Sequence, residues 1–316
     1  RRSSDLLACV LAVAATVILF NWHSTGKLLT DNTGENCRNL CEAAANRIEQ
    51  TFIAAAKEAD SMATAMELIP MNENTITTLI NNTLKKSDDS VFGSAVAFEP
   101  YRFDPKREFF CPYLFKDGGN IKTTFLGGKD YQYFNWDWYQ IPRELQQPVW
   151  SEPYFDDGGG NILMTTYSVP FYRERDGRRM LEGIVTIDIS LSKLQRIVDK
   201  MKLFNHGYGF LVSNSGRIIT HPKVDLIMNH TLYTLAEERQ RPDLGHLADL
   251  MLSGQSGFIP YESLVHGGKY SLFYMPLKST SWSLAIAIPD NEPRAGAHRP
   301  ATHTLATWVT GHAITI

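Results

Sequence analysis

Cysteine is scarce in this chain, 4 of 316 residues. Cys9, Cys37, Cys41 and Cys111 make no CxxC pair, no zinc-ligand spacing and no disulfide framework. The spacing leaves open only a bridge from Cys41 to the same residue of a second chain. Runs of Lys and Arg are absent and the formal net charge is -3. The clustered cations that displace counterions from nucleic acid are missing, so nucleic acid is excluded as a partner. The sequence also lacks HExxH, GxSxG, a P-loop and GxGxxG, so no catalytic residue, metal ligand or cofactor is assigned. Gly254-Gln255-Ser256-Gly257 is out of register for a nucleophile elbow and reads as a turn. The His residues are scattered singly, and His221 before Pro222 reads as the cap of a strand end. Disorder is excluded by a hydrophobic content of 43%.

What is present begins with an apolar run from Leu6 to Phe20 that carries no charge. It is short of the ~20 residues that usually span a bilayer. With Arg1 and Arg2 on the cytoplasmic side and Trp22 at the outer interface, residues 1–22 read as a transmembrane anchor. A cleavable signal peptide needs a small-residue cleavage site soon after the run, and Asn21-Trp22-His23-Ser24 offers none. Either reading exports the residues from 23 onward. Residues 291–316 read as a linker, with 301–316, mildly apolar and free of Lys, Arg and carboxylates, as the start of a second span.

Between these ends the longest pattern is helical. Cys41, Ile48, Ala55 and Met62 recur every seven residues, and Ala45, Phe52, Ala59 and Met66 form a second series offset by four. Glu42, Arg47, Glu49, Lys57, Glu58 and Asp60 occupy the other positions, and Pro70 stops the pattern. Two readings of this seam stand side by side: a helix packed on its own domain, and a rod pairing with a second chain. From about Val91 the period becomes strand-like, with apolar runs at 91–98, 109–115, 162–170 and 181–189 separated by Gly/Asp/Asn turns. A helix is expected over 191–202, with Ser190 as its N-cap. Further strands are expected at 208–212, 217–220, 257–259, 269–276 and 282–288. The chain is long enough for two domains. The expected class is α+β: an anchor (1–22), a long helix region (23–70), and two tandem modules with antiparallel sheets (71–203 and 204–290).

One segment is too aromatic for a solvated loop: six of the nine residues from Tyr131 to Tyr139 are aromatic. Tyr and Trp faces attract an ammonium group by roughly 0.5–2 kcal/mol per good contact. Trp150, Tyr154 and Tyr167 extend the concentration. Each ring alone reads as packing, and the group reads as a pocket. The run Asp156-Asp157-Gly158-Gly159-Gly160-Asn161 lacks the later Glu of a calcium loop and reads as a hairpin turn.

Trp138-Tyr139, the segment Trp150 to Tyr154, and Gly183 to Ser190 resemble the distal module of bacterial double Cache (dCache) sensors. Gly207 to Val212, Gly216 to Ile219 and His221-Pro222 resemble their proximal module. The resemblance implies two PAS-like (Cache) modules in the extracytoplasmic part of a membrane receptor. Residues 23–300 would then face outward from a bacterial inner membrane, as a homodimer through the long helix, binding an amine or amino acid-like ligand. In amino-acid-binding members a tyrosine, an arginine, Trp-Tyr, a later Tyr and Asp, and a last Asp hold the ligand. Tyr131, Trp138, Tyr139, Tyr154, Asp156 and Asp188 match these positions. Trp136 stands where the arginine would be, so the fork that clamps a carboxylate is missing while the ammonium-binding half is kept. The segments Asp137 to Pro142, Met228 to Thr231 and Gly254 to Gly257 are most similar to sensors placed ahead of RsbU/SpoIIE-like PP2C phosphatases. The region itself is expected to sense and not to catalyse. The competing reading is an anchored or secreted enzyme of unfamiliar type.

Overall fold

The computed structural model describes residues 38–128, 131–201 and 205–290. The expected anchor (1–22), the start of the long-helix region (23–37) and the segment 291–316 lie outside the described residues. Among the described residues no helix is long and apolar enough to cross a membrane.

Helix α1 (38–68) stops just before Pro70, whose ring cannot continue a helical hydrogen-bond ladder. Both seven-residue series are buried along their whole length, from Cys41 and Ala45 to Met62 and Met66. What covers them is this chain's own sheets and helices, with which they form one apolar core. Phe52 sets its edge against Trp150 (ring centroids 4.9 Å apart) and Trp282 (5.3 Å). The seam is therefore intramolecular, and a second chain would have to meet another face of α1. Cys41 is likewise buried within the protomer, which removes it from the bridge that its spacing left open.

Helix α2 (Glu73–Lys86) comes next, started by Asn72, whose side chain accepts from the Thr75 amide at 2.8 Å. It buries Ile76, Ile80 and Leu84 on one face. The first sheet runs β3-β2-β1-β7-β6-β4 with every pair antiparallel. Its strands are β1 (Val91–Phe98), β2 (Pro112–Asp117), β3 (Asn120–Phe125), β4 (Val149–Trp150), β6 (Leu163–Arg175) and β7 (Arg178–Ser190), with β5 (Tyr154–Phe155) also on β6. Asp176 (φ 52°) and Gly177 (φ 70°) turn the β6–β7 hairpin in the left-handed region that suits the twist of two-residue loops. Between β3 and β4 lie a short 3-10 turn (Tyr133–Asn135) and helix α3 (Asp137–Leu145).

Helix α4 (Leu191–Asp199) leads to the second antiparallel sheet, ordered β10-β11-β12-β8-β9. It contains β8 (Tyr208–Val212), β9 (Ile218–Thr220), β10 (Gly257–Glu262), β11 (Lys269–Pro276) and β12 (Ser283–Pro289). Period-two alternation divides its side chains: Phe210 and Ile218 pack with Leu235, Leu244 and Leu247 of helices α5 (Leu232–Glu238) and α6 (Pro242–Leu252), while Leu211 and Ile219 join the core around α1. The mixed class of helices and antiparallel sheets behind one long helix is the expected one. Ser190 does precede α4, but its hydroxyl pairs with Ser192 and caps no backbone amide. The Gly254-Gln255-Ser256-Gly257 segment is the expected turn and joins α6 to β10.

Gly183 on β7 shows how tightly the first sheet is built. A Cβ there would collide with the Ala97 carbonyl oxygen and lie 2.9 Å from Phe98 Cα, and neither backbone atom can yield. Gly183→Ala is expected to destabilise the protein by about 1–3 kcal/mol, as overpacking does. Urea unfolding of the variant beside the parent measures this, and an unchanged midpoint would refute the close packing.

Candidate ligand-binding site

One face of the first sheet is floored by small or polar residues where strands normally carry bulk. Gly93 on β1 admits the Tyr113 ring edge and hydroxyl over its Cα; Asp188 on β7 lies opposite Gly93 on one side and opposite Thr166 of β6 on the other. Thr166 donates from Oγ1 to Asp188 Oδ1 at 2.8 Å, and the Tyr154 hydroxyl lies 2.7 Å from the same Thr166 Oγ1. Asp188 is wholly enclosed. Burial, reinforced by the nearby Asp156 carboxylate, pushes its pKa up to about 7 against the pull of Thr166.

Asp156 closes the site from the turn between β5 and β6. Its Oδ1 accepts from the Tyr131 hydroxyl at 2.7 Å and its Oδ2 from the Gly160 amide at 2.6 Å. Burial raises this carboxyl's pKa as well. The turn folds inward because Gly158 takes φ +83° and because a Cβ on Gly159 would strike the Asp156 carboxylate. The expected hairpin turn is present, and its first residue is aimed into the sheet. No cationic side chain contributes to the shift of either carboxyl among the described residues.

Aromatic rings cover the pair. Trp136 stacks on Tyr131 at 5.2 Å between centroids with 9° between planes, and lies 5.7 Å from Tyr154. Trp138 is buried in the same apolar cluster as Tyr131. Burial and the neighbouring carboxylates raise the pKa of Tyr131 and Tyr154, so both keep their protons. The structure thus brings Tyr131, Trp136, Trp138, Tyr154, Asp156 and Asp188 together. Tyr139 stands apart: its hydroxyl donates to Glu99 at 2.5 Å beside Arg143, and its ring packs on Tyr133. Trp150 and Tyr167 do not extend the pocket either. They contact each other and the core around α1 on the opposite face, because residue 167 is one step out of phase with Thr166.

Thr166, Cys111 and Tyr113 were missed by motif reasoning. Cys111 is fully buried, and burial together with Asp188 and Asp156 raises its thiol pKa well above the ordinary range. Once Asp188 is placed, the register of β6 finds Thr166, and the alternation in β2 carries Tyr113 and Phe115 onto the same face.

The candidate site is thus a sheet floor with two buried acids under an aromatic cover. Residues 76–196 match the family model described as methyl-accepting chemotaxis protein-like, first PDC sensor domain. Over these residues the chain is similar to the extracellular sensor domains of chemoreceptors and histidine kinases. Among curated relatives, voltage-dependent calcium channel subunit alpha-2/delta-3 of Homo sapiens is 30% identical over 175 residues, 44% of this chain and 16% of that protein. Methyl-accepting chemotaxis protein PctB of Pseudomonas aeruginosa is 28% identical over 163 residues, 50% of this chain and 23% of PctB. The chain thus corresponds to under a quarter of either relative's length. Among solved structures, the extracellular domain named for histidine kinase mmHK1S-Z3 superposes with a TM-score of 0.68 at 28% identity, over 80% of this chain and 93% of that one. The PctB ligand-binding domain in complex with L-Gln shares the fold, with a TM-score of 0.57 at 20% identity over 86% of this chain and 98% of that one.

Proposed function

We propose that this chain is the extracytoplasmic sensor region of a bacterial membrane signal-transduction receptor, and that its distal module (71–203) binds a small amine. One observation carries the reading: two buried carboxyls, Asp156 and Asp188, lie near enough for one to raise the other's pKa, neither neutralised by a cation among the described residues, with the stacked Tyr131 and Trp136 rings beside them. A buried charge without a partner is costly, and an ammonium supplies the partner. The amino acid reading draws on PctB, whose domain is solved with L-Gln. Against it, Trp136 occupies the place of the carboxylate-clamping arginine, so the amine is favoured. A thermal-shift screen of amines and amino acids on the full chain tests this. Stabilisation by amines is expected, and stabilisation by amino acids alone would reverse the assignment.

Signal transfer rests on the groups that touch the site. Ser151 accepts the Thr166 amide on its Oγ; its neighbour Glu152 accepts from Ser215 Oγ in the second sheet's β8–β9 turn at 2.7 Å, and Trp150 meets Phe52 of α1. A ligand that draws Thr166 and Tyr154 together therefore biases α1 and the proximal module (204–290), and through them the membrane anchor. The dimer we propose uses the outward face of α1, where Ala54 and Ser61 are exposed one heptad apart. Cysteines at Ala54 and Ser61 should crosslink between chains in membranes, whereas cysteines at the buried Ile48 and Ala55 should not. The reverse pattern would show that the seam opens to a partner. For output, the resemblance supports a PP2C-type serine phosphatase.

A further inference from the structure

Tyr113 stands out in this site because its polar atom goes unused by the described residues. It projects from β2 with 1% of its surface exposed, and its hydroxyl has no hydrogen-bond partner among them. Buried hydroxyls are normally paired, so an orphan beside a binding site calls for an explanation. This one is held firmly in place. Its ring stacks on Phe115, and two glycines keep its tip clear: a Cβ on Gly93 would strike the hydroxyl, and one on Gly160 would lie 3.2 Å from it. The hydroxyl stands beside the Asp188 carboxyl and draws that group's pKa down.

Resting on the amine reading above, we infer that the Tyr113 hydroxyl is the third acceptor of a tripod completed by Asp156 and Asp188, and that this tripod selects an ammonium with its N–H donors intact, a primary amine, over a methylated one. The three acceptors approach from different strands and turns: Asp188 from β7, Asp156 from the β5–β6 turn, and Tyr113 from β2. A primary ammonium has three donors to match them. A quaternary ammonium has none. It would satisfy the aromatic cover of Tyr131, Trp136 and Tyr154 equally well, while leaving the Tyr113 hydroxyl unpaired and holding the carboxylates off by the thickness of its methyl groups. The cover alone would therefore accept both, and the floor makes the choice.

The test uses the full chain and three named probes: n-butylamine, ethanolamine and 2-phenylethylamine. Whichever gives the largest thermal shift is titrated calorimetrically beside its N,N,N-trimethyl counterpart, against the parent protein and Tyr113→Phe. The parent should prefer the primary amine by at least tenfold. Tyr113→Phe should reduce that preference at least tenfold, by weakening primary amine binding and not trimethylated binding. The ligand-free variant should melt no lower than the parent, since the hydroxyl it loses has no partner to leave behind; a structural hydroxyl would lower the melting temperature. Equal affinity for both probes, or a Tyr113→Phe protein that discriminates as the parent does, overturns the inference and leaves the amine reading standing. Failure of every probe to bind overturns both.

Discussion

Asp188→Asn is expected to weaken amine binding by roughly 2–5 kcal/mol, a loss of about thirtyfold to several thousandfold. The carboxyl is the deepest polar group of the site, fixed by Thr166 at 2.8 Å and shut off from solvent. Asparagine keeps its shape and its place beside Thr166 but removes the charge that an ammonium needs. In the ligand-free protein the substitution should leave the melting temperature at pH 8 unchanged or higher, because it removes an enclosed carboxylate whose described surroundings hold no cation. A structural partner for Asp188 predicts the opposite order: folding stability lost first, binding only as a consequence. Calorimetry on the variant, with Trp138→Ala as an aromatic control, separates the two.

Affinity should also depend steeply on pH. An unfolded aspartate titrates near 3.8, and Asp188 in the fold near about 7, held there by burial and by Asp156, with Tyr113, Tyr154 and Cys111 around it as neutral neighbours. Between those pH values the folded protein keeps a proton that the unfolded chain has released. Ligand-free stability therefore falls as pH rises from about 4 to 7 and levels off above that. Binding has the opposite slope. An ammonium must displace the Asp188 proton, so below pH 7 its affinity should drop about tenfold per unit, becoming about a hundredfold weaker at pH 5 than at pH 8. The enthalpy should vary with the ionisation enthalpy of the buffer as the proton leaves. An affinity that stays flat across this range would mean that Asp188 is already ionised without its ligand.

How much of this was legible in the residues depended on the range of the interaction. Locally coded features emerged readily: the seven-residue seam of α1, the Pro70 stop, the strand alternation of β1 and β7, and the aromatic density around Tyr131. Asp188 was legible as a match to the family pattern of its ligand-holding carboxylates. Features set by register between distant strands were hidden. Thr166 lies 22 residues from Asp188 and carries no motif of its own; only the β6–β7 pairing brings it across. The same blindness placed Trp150 and Tyr167 in the pocket, since aromatic density cannot reveal which face of a strand a ring occupies. Tyr139 was misleading for a related reason: adjacent residues of a helix, here Trp138 and Tyr139, point in different directions, and Glu99, 40 positions away, captures the tyrosine. The seam of α1 has the pattern of a coiled coil, and what fills it, the two sheets, lies far along the chain.

The site should demand a positive charge. This is tested most directly by titrating the full chain at pH 8 with n-butylamine, ethanolamine and 2-phenylethylamine, and with carboxylates of the same carbon skeletons, into the parent and Asp188→Asn. Two buried carboxyls under an aromatic cover predict saturable binding of at least one amine, none of its carboxylate counterpart, and loss of the amine signal in Asp188→Asn. Binding of a carboxylate at comparable affinity, or an amine bound equally by parent and variant, would contradict it.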